Sequence, residues 1–380
     1  MTITRTIITP FASPLPWERD AGGSRLWSLP FASMTFARAS DALYQTGAAT
    51  DGSSAYISTA GTDALVLEDL GDGAGALARF ERSSTNLALR SREIDASPWT
   101  TFGAATITAG QGGPTGSDAE RVEVAAGTNL RYQTLTPGAG WRALSAYVRA
   151  TSGTPDGYVY VSDGTNIWTA QAALSTTYQR LIGAGNMAAG AGSFAAADSR
   201  SLGGGPAAGA RDVRVSLVQL ETGRYPTSPI VTAGATATRA ADSLTLASAG
   251  VPAGMLTGRG RFAQFSPAWE TADLASGDER WLLSLGGASN GIRVRHDGSN
   301  VLLEAVAGGA VKASKSFGTV AKNALVGPLA WDPAAGIVYI DGVAGSAGTA
   351  WTWSAADLRV GGQHGGSNEV DARLGALGGW

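Results

Sequence analysis

The sequence predicts an all-β protein, and three observations predict it. Apolar and polar residues alternate in short runs from about residue 95 onward, and a period of two marks a half-buried strand. Examples are Thr106-Ile107-Thr108, Ala119-Glu120-Arg121-Val122-Glu123-Val124, Tyr158-Val159-Tyr160-Val161 and Arg211-Asp212-Val213-Arg214-Val215-Ser216-Leu217. Turn pairs recur at Asp163-Gly164, Asn290-Gly291, Asp297-Gly298 and Asp341-Gly342, where positive φ in a tight hairpin costs least. Of 380 residues 53 are glycine, and 44% are hydrophobic against 16% charged, so many small residues and frequent turns replace long helical faces. No stretch carries a clear helical stripe, although Ala235 to Leu246 reads either way.

Taken in order, residues 1–76 carry Pro10, Pro14, Pro16 and Pro30 with few long alternations, which suits an arm that attaches to another protein. Residues 77–232 are expected to form a first antiparallel sandwich, and residues 237–380 a second, with 232–236 as the linker. The Gly/Ala-rich segments 183–192 and 201–210 are expected as loop crossings of the first sandwich. The chain is long enough to bury a substantial core in each.

Several function classes fall away. A formal charge of -3 with no Lys/Arg cluster leaves nothing to track phosphates, so nucleic acid is not an expected partner. Without cysteine there is no disulfide framework, thiolate metal site or Cys nucleophile. No segment approaches the roughly 18 apolar residues of a membrane helix, and Met1 to Pro16 lacks a signal-peptide apolar stretch. A soluble protein folded in the producing cytoplasm is expected. Gly287-Ala288-Ser289-Asn290-Gly291 has the spacing of a nucleophile elbow, but the alternating Ile292-Arg293-Val294-Arg295 follows where a helix is needed, so it reads as a hairpin turn. His296 and His364 have neither an evident acid partner nor metal-ligand spacing and read as solvated side chains. No solenoid repeat provides a groove for depolymerisation, and the protein is expected not to be an enzyme.

Phe36-Ala37-Arg38-Ala39-Ser40, then Glu81-Arg82-Ser83-Ser84-Thr85-Asn86-Leu87 and Ser97-Pro98-Trp99, resemble a module of phage fibre, head-spike and gene-transfer-agent proteins. The strand Ala143 to Arg149, Tyr178-Gln179-Arg180, the close Val218-Gln219-Leu220-Glu221-Thr222-Gly223 with Tyr225-Pro226-Thr227-Ser228, and the exit Thr238-Arg239-Ala240-Ala241-Asp242 continue the pattern. Thr177 stands where that family often has Trp. Further on, Trp281-Leu282-Leu283-Ser284-Leu285, Leu329 to Pro333 and Val338-Tyr339-Ile340-Asp341-Gly342 resemble a concanavalin-like, laminin-G-like sandwich.

The resemblance implies a carbohydrate-binding-module-like jelly roll followed by a concanavalin-like domain, on a virion-surface protein assembled in the host cytoplasm. Residues 1–76 would attach it to a head or tail protein, and a trimer or pentamer would bind host polysaccharide. Alternatives are a glycan-degrading enzyme and a capsid decoration protein that binds no sugar. Sugar binding needs exposed aromatic faces. Trp168, Trp351 and Trp353 lie near turns and are the glycan candidates, while Trp99, Trp141 and Trp331 are expected in the core. Jelly rolls of this kind often hold a structural calcium, for which Asp95, Asp118 and Asp212 are the candidate ligands; no other cofactor is expected.

Overall fold

The computed structural model describes residues 77–380 apart from 115, 128, 153–155, 164, 189–191, 201–206, 288, 363–371, 375–376 and 380, together with five strands between residues 27 and 68. The chain is all-β as predicted, the described helical turns being Ser248–Gly250, Ala253–Thr257 and Thr271–Asp273. The ambiguous stretch Ala235 to Leu246 contains two strands, Ala237–Arg239 and Ser243–Leu246.

The chain divides into two units, and one is inserted into the other. Residues 40–62 with 84–240 form the first, while 1–39, 63–83 and 241–380 form the second. The expected order of arm, sandwich, sandwich is thereby corrected. Strands Trp27–Leu29, Thr35–Ala37 and Leu77–Phe80 hydrogen-bond to Leu377–Gly379, Ser243–Leu246 and Ala372–Leu374 of the C-terminal sandwich. Such short strands show too little alternation to be read alone, because their partners lie roughly 200 to 350 residues away. Nor is 232–236 a free linker. Thr232 is buried, its hydroxyl donates to Ala88 O at 2.6 Å, and its amide donates to Ser91 Oγ at 2.9 Å.

The inserted unit packs two five-stranded antiparallel sheets. One has the order Gln179–Met187, Gly140–Ala150, Arg211–Thr222, Gly116–Val124, Ala105–Gly113; the other runs Ile167–Ala173, Asp156–Ser162, Gly192–Asp198, Leu130–Leu135, Thr100–Phe102. Alternate residues Val122, Val124, Leu144, Ala146, Val148, Val213, Val215 and Leu181 meet Val159 and Val161 in one core. Of the Gly/Ala-rich segment 183–192, residues 183–187 are not a loop crossing but the end of the strand Gln179–Met187, and 189–191 lie outside the described residues. Glycine is needed there because a Cβ on Gly185 would sit 2.1 Å from the Trp168 ring.

Asn86 fixes the entry to this unit. It is fully buried and makes four hydrogen bonds: Nδ2 donates to Val218 O (3.1 Å) and Ile230 O (2.8 Å), while Oδ1 accepts from Ala88 N and Leu220 N, both 3.0 Å. Its strand, Ser84–Asn86, pairs antiparallel with Ala237–Arg239, so the chain enters and leaves the unit side by side. Just outside, Glu81 N donates to Asp242 Oδ2 and Asp242 N donates to Glu81 O, each at 3.0 Å.

The second unit has a six-stranded sheet, containing Gly260–Phe262, Leu329–Asp332 and Ile337–Ile340, and a seven-stranded sheet, containing Glu279–Leu285, Gly291–His296, Val301–Ala307 and Ala310–Gly318. Trp353 ties the two together: its ring lies 6.2 Å from that of Trp331, and its Nε1 donates to Val306 O at 2.8 Å. Of the predicted turns, Asp341-Gly342 is a two-residue hairpin with φ of 53° and 75°. Asp163 and Asp297 instead cap longer loops with their carboxylates. Asp163 accepts from the amides of Thr165, Asn166 and Ala188, which pulls its carboxyl down to about 2.

A carboxyl group is buried on the core side of the first sandwich. Glu120 is 5% exposed, on the same face of its strand as Val122 and Val124, and its Oε2 has no hydrogen-bond partner. Burial first, then the charges of Asp95 and Glu93, push it up to about 7, against an amide hydrogen bond from Gly110 and the charge of Arg131.

Two predictions follow from these buried polar groups. Asn86→Ala orphans two carbonyls and two amides and should cost roughly 3 kcal/mol or more in denaturant unfolding. For Glu120, folded and unfolded chains both hold the proton below pH 4.5, and the unfolded chain alone releases it between there and about pH 7. Stability therefore falls by about 3 kcal/mol across that window. Glu120→Gln should remove this slope, leaving the variant more stable than the wild type at pH 8 and similar to it at pH 4.

Candidate functional site

Alternation that sends Leu144, Ala146 and Val148 to the core sends Trp141, Ala143, Ser145, Tyr147 and Arg149 to the opposite, outer face of the same strand. Their partners on Gln179–Met187 are Asn186 beside Trp141, Ala184 beside Ala143, Ile182 beside Ser145 and Arg180 beside Tyr147. On the other side, Ala143 and Ser145 face Glu221 and Gln219, after which a bulge at Leu217 (φ 52°) brings Tyr147 opposite Ser216.

A strap closes the middle of this face. Glu221 accepts from the Thr227 amide (2.6 Å) and hydroxyl (2.7 Å), while Gln219 accepts from Ile230 N (2.6 Å) and donates to Ser228 O (3.3 Å). The Gln-x-Glu and Thr-Ser motifs of the sequence thus have a folding role. Arg180 adds a hydrogen bond to Thr227 O at 2.7 Å.

Either side of the strap the face is more open. At one end Trp141 is half-buried with the Arg224 guanidinium 3.6 Å over its ring, next to exposed Asn186; Ile182, 41% exposed, lies four positions further along that strand, beside Ser145. At the other, Tyr147 and Tyr178 form a floor with Ala119 and Leu217, and Arg149 lies 5.3 Å over Tyr178. Arg149, Arg214 and Arg121 rise above this floor, all half-exposed. Arg121 grips Asp212 through two bonds of 2.9 and 2.8 Å and reaches Glu123 Oε1 at 2.9 Å. The guanidinium holds the Asp212 carboxyl below its usual range.

The structure does not assemble the sequence candidates into one site. Trp351 and Trp353 are buried (5% and 3% exposed) in the core of the second unit, with ring centroids 6.1 Å apart. They are not in a strand, and the expectation of an exposed aromatic pair is corrected: a loop rich in small residues lets both indoles fold inward. Trp168 is half-buried and packs against the sandwich core over Gly185, at its edge rather than on the outer face. Asp212 is on the outer face with Arg121, whereas exposed Asp95 acts on Glu120 from the core side, so these two do not converge. The side chain of Asp118, like all of His364, lies outside the described residues. Among the described residues no three His, Asp or Glu side chains are grouped to hold a metal ion.

His296 is buried, 7% exposed, instead of solvated, since its strand turns it inward with Val294 and Ile292. The segment Gly287 to Gly291 joins paired strands as a hairpin connection, with Ser284 opposite Gly291. Trp99 and Trp331 are in the cores as expected. Trp141 is the exception, half-exposed on the outer face because it occupies an odd position of a strand whose even positions are apolar. That parity was the available signal for Trp141, and Arg149, Arg121 and Arg214 share the corresponding outward parity on neighbouring strands. In the seven-stranded sheet the comparable charges neutralise one another: buried Glu304 meets Arg293 and Arg295 at 2.8 Å each, and Glu279 also meets Arg293.

No family model matches the sequence, and no curated protein matches it. Among solved structures the chain is similar to the N-terminal CBM22-1-CBM22-2 tandem domain of Xyn10C from Paenibacillus barcinonensis, at 12% identity and a TM-score of 0.30, covering 78% of this chain and 98% of that one.

Proposed function

We propose that the protein is a non-enzymatic surface protein of a virus-like particle that binds host glycan through the outer face of the five-stranded sheet bearing Trp141. The observation that carries this reading is the juxtaposition of a half-exposed indole, packed by Arg224, with exposed Asn186 directly opposite it on one rigid sheet. An indole face covers the C–H patch of a pyranose while amide and guanidinium groups hydrogen-bond its hydroxyls. Strands hold such groups more precisely than loops do.

The particle context is supported by the motifs that resemble phage and gene-transfer-agent spikes, among them Phe36 to Ser40 and Glu81 to Leu87. Attachment to a head or tail protein is assigned to residues 1–76, within which the strands at 27–29 and 35–37 also pair with strands of the C-terminal unit. Several copies per particle would convert weak sugar contacts into firm adhesion.

Adsorption of particles carrying and lacking the protein, on cells with and without their surface polysaccharide, tests the reading. The protein should raise adsorption only when polysaccharide is present, and Trp141→Ala should weaken binding of the isolated protein on the order of tenfold, the scale of a lost aromatic anchor. Adsorption indifferent to protein and polysaccharide alike would leave a decoration role in its place.

A further inference from the structure

At the open end of the same face, three arginines stand in one row across three adjacent strands. Arg149 is the register partner of Arg214, and Arg214 is the register partner of Arg121. Direct partners in an antiparallel sheet point to one side, with neighbouring strands about 4.8 Å apart. Like charges directly opposite one another weaken a sheet. Arg121 alone of the three is ion-paired, binding both Asp212 and Glu123, while the Asp212 charge also acts on Arg214. Among the described residues no carboxylate comes within ion-pair distance of Arg149 or Arg214, and Arg149 donates one guanidinium proton to Thr176 O at 2.8 Å.

Uncharged residues at these positions would make the same sheet without that repulsion, so the row is costly to folding and prepared for an anion. We propose that it is a subsite for the carboxylate of an acidic, uronate-type polysaccharide, bound by the guanidinium forks of Arg149 and Arg214. The inference rests on the glycan-binding reading and adds the class of glycan. The planar fork matches a carboxylate in two parallel hydrogen bonds.

Trp141 lies eight positions along the strand from Arg149, roughly 26 Å at 3.3 Å per residue, so it engages a different unit of the polymer. Nucleic acid fits the row poorly. Its bases need exposed rings to stack on, whereas Tyr147 and Tyr178 are 2% and 9% exposed beneath the arginines.

The test uses the whole protein and three probes: polygalacturonate, the same polymer with its carboxyl groups reduced, and mixed-sequence single-stranded DNA. The wild type should bind polygalacturonate about tenfold or more tightly than the reduced polymer, with a preference that shrinks as salt rises. Arg149→Gln and Arg214→Gln should each bring that preference close to one while Tm stays level or rises. Arg214→Lys, which keeps the charge and loses the fork, should fall between. Equal wild-type binding to both polymers overturns the carboxylate subsite and leaves the glycan reading standing; binding to neither overturns both. DNA binding as tight as polygalacturonate binding, or a lower Tm in the glutamine variants, also overturns the subsite, assigning the row to general anion capture or to the fold.

Discussion

The inserted sandwich depends on one side chain more than on any other. Asn86 uses both lone pairs of its carbonyl and both protons of its amide, with two partners on the bulged strand Arg211–Thr222, one in the strap that follows it and one in its own turn. The bulge at Leu217 flips the parity of that strand, placing Val218 and Leu220 in the core and Gln219 and Glu221 outside. Those two outward residues then hold the strap, and the strap divides the outer face into its two open ends. A single buried amide thus sets a register from which the candidate binding face inherits its shape.

That face shows how one alternating strand serves two masters. In Gly140–Ala150 the even positions supply a dense apolar core, and the odd positions carry Trp141, Ser145, Tyr147 and Arg149 outward. The second unit contains charged rows too, but Glu304 sits between Arg293 and Arg295 and closes them internally. Electrostatic closure in one sheet and its incompleteness in the other is the clearest physical difference between the two sandwiches.

The all-β class and most central strands were legible because period-two alternation is a local property. The strands over residues 119–124, 158–161 and 211–217 appear where the pattern places them. What local pattern does not carry is pairing between distant segments. Trp27–Leu29 is a strand only because Leu377–Gly379 lies beside it, so an N-terminal arm was expected where the second sandwich has its edges. Aromatic exposure failed for a related reason: Trp351 and Trp353 follow a run of small residues that reads as an exposed loop, yet that loop folds the rings against Trp331. Trp141 was assigned inward by resemblance although the parity of its strand pointed out. The arginine row needed cross-strand register, which no single segment contains.

The antiparallel pairing of Ser84–Asn86 with Ala237–Arg239 has a mechanical consequence. A domain strung in series on a chain feels a pull through two separate ends and can be drawn open between them. Here the segment 84–240 is entered and left through one narrow ribbon, so a pull on the chain flanking it must unzip the pairing of Ser84–Asn86 with Ala237–Arg239 before it can stretch the strands between them.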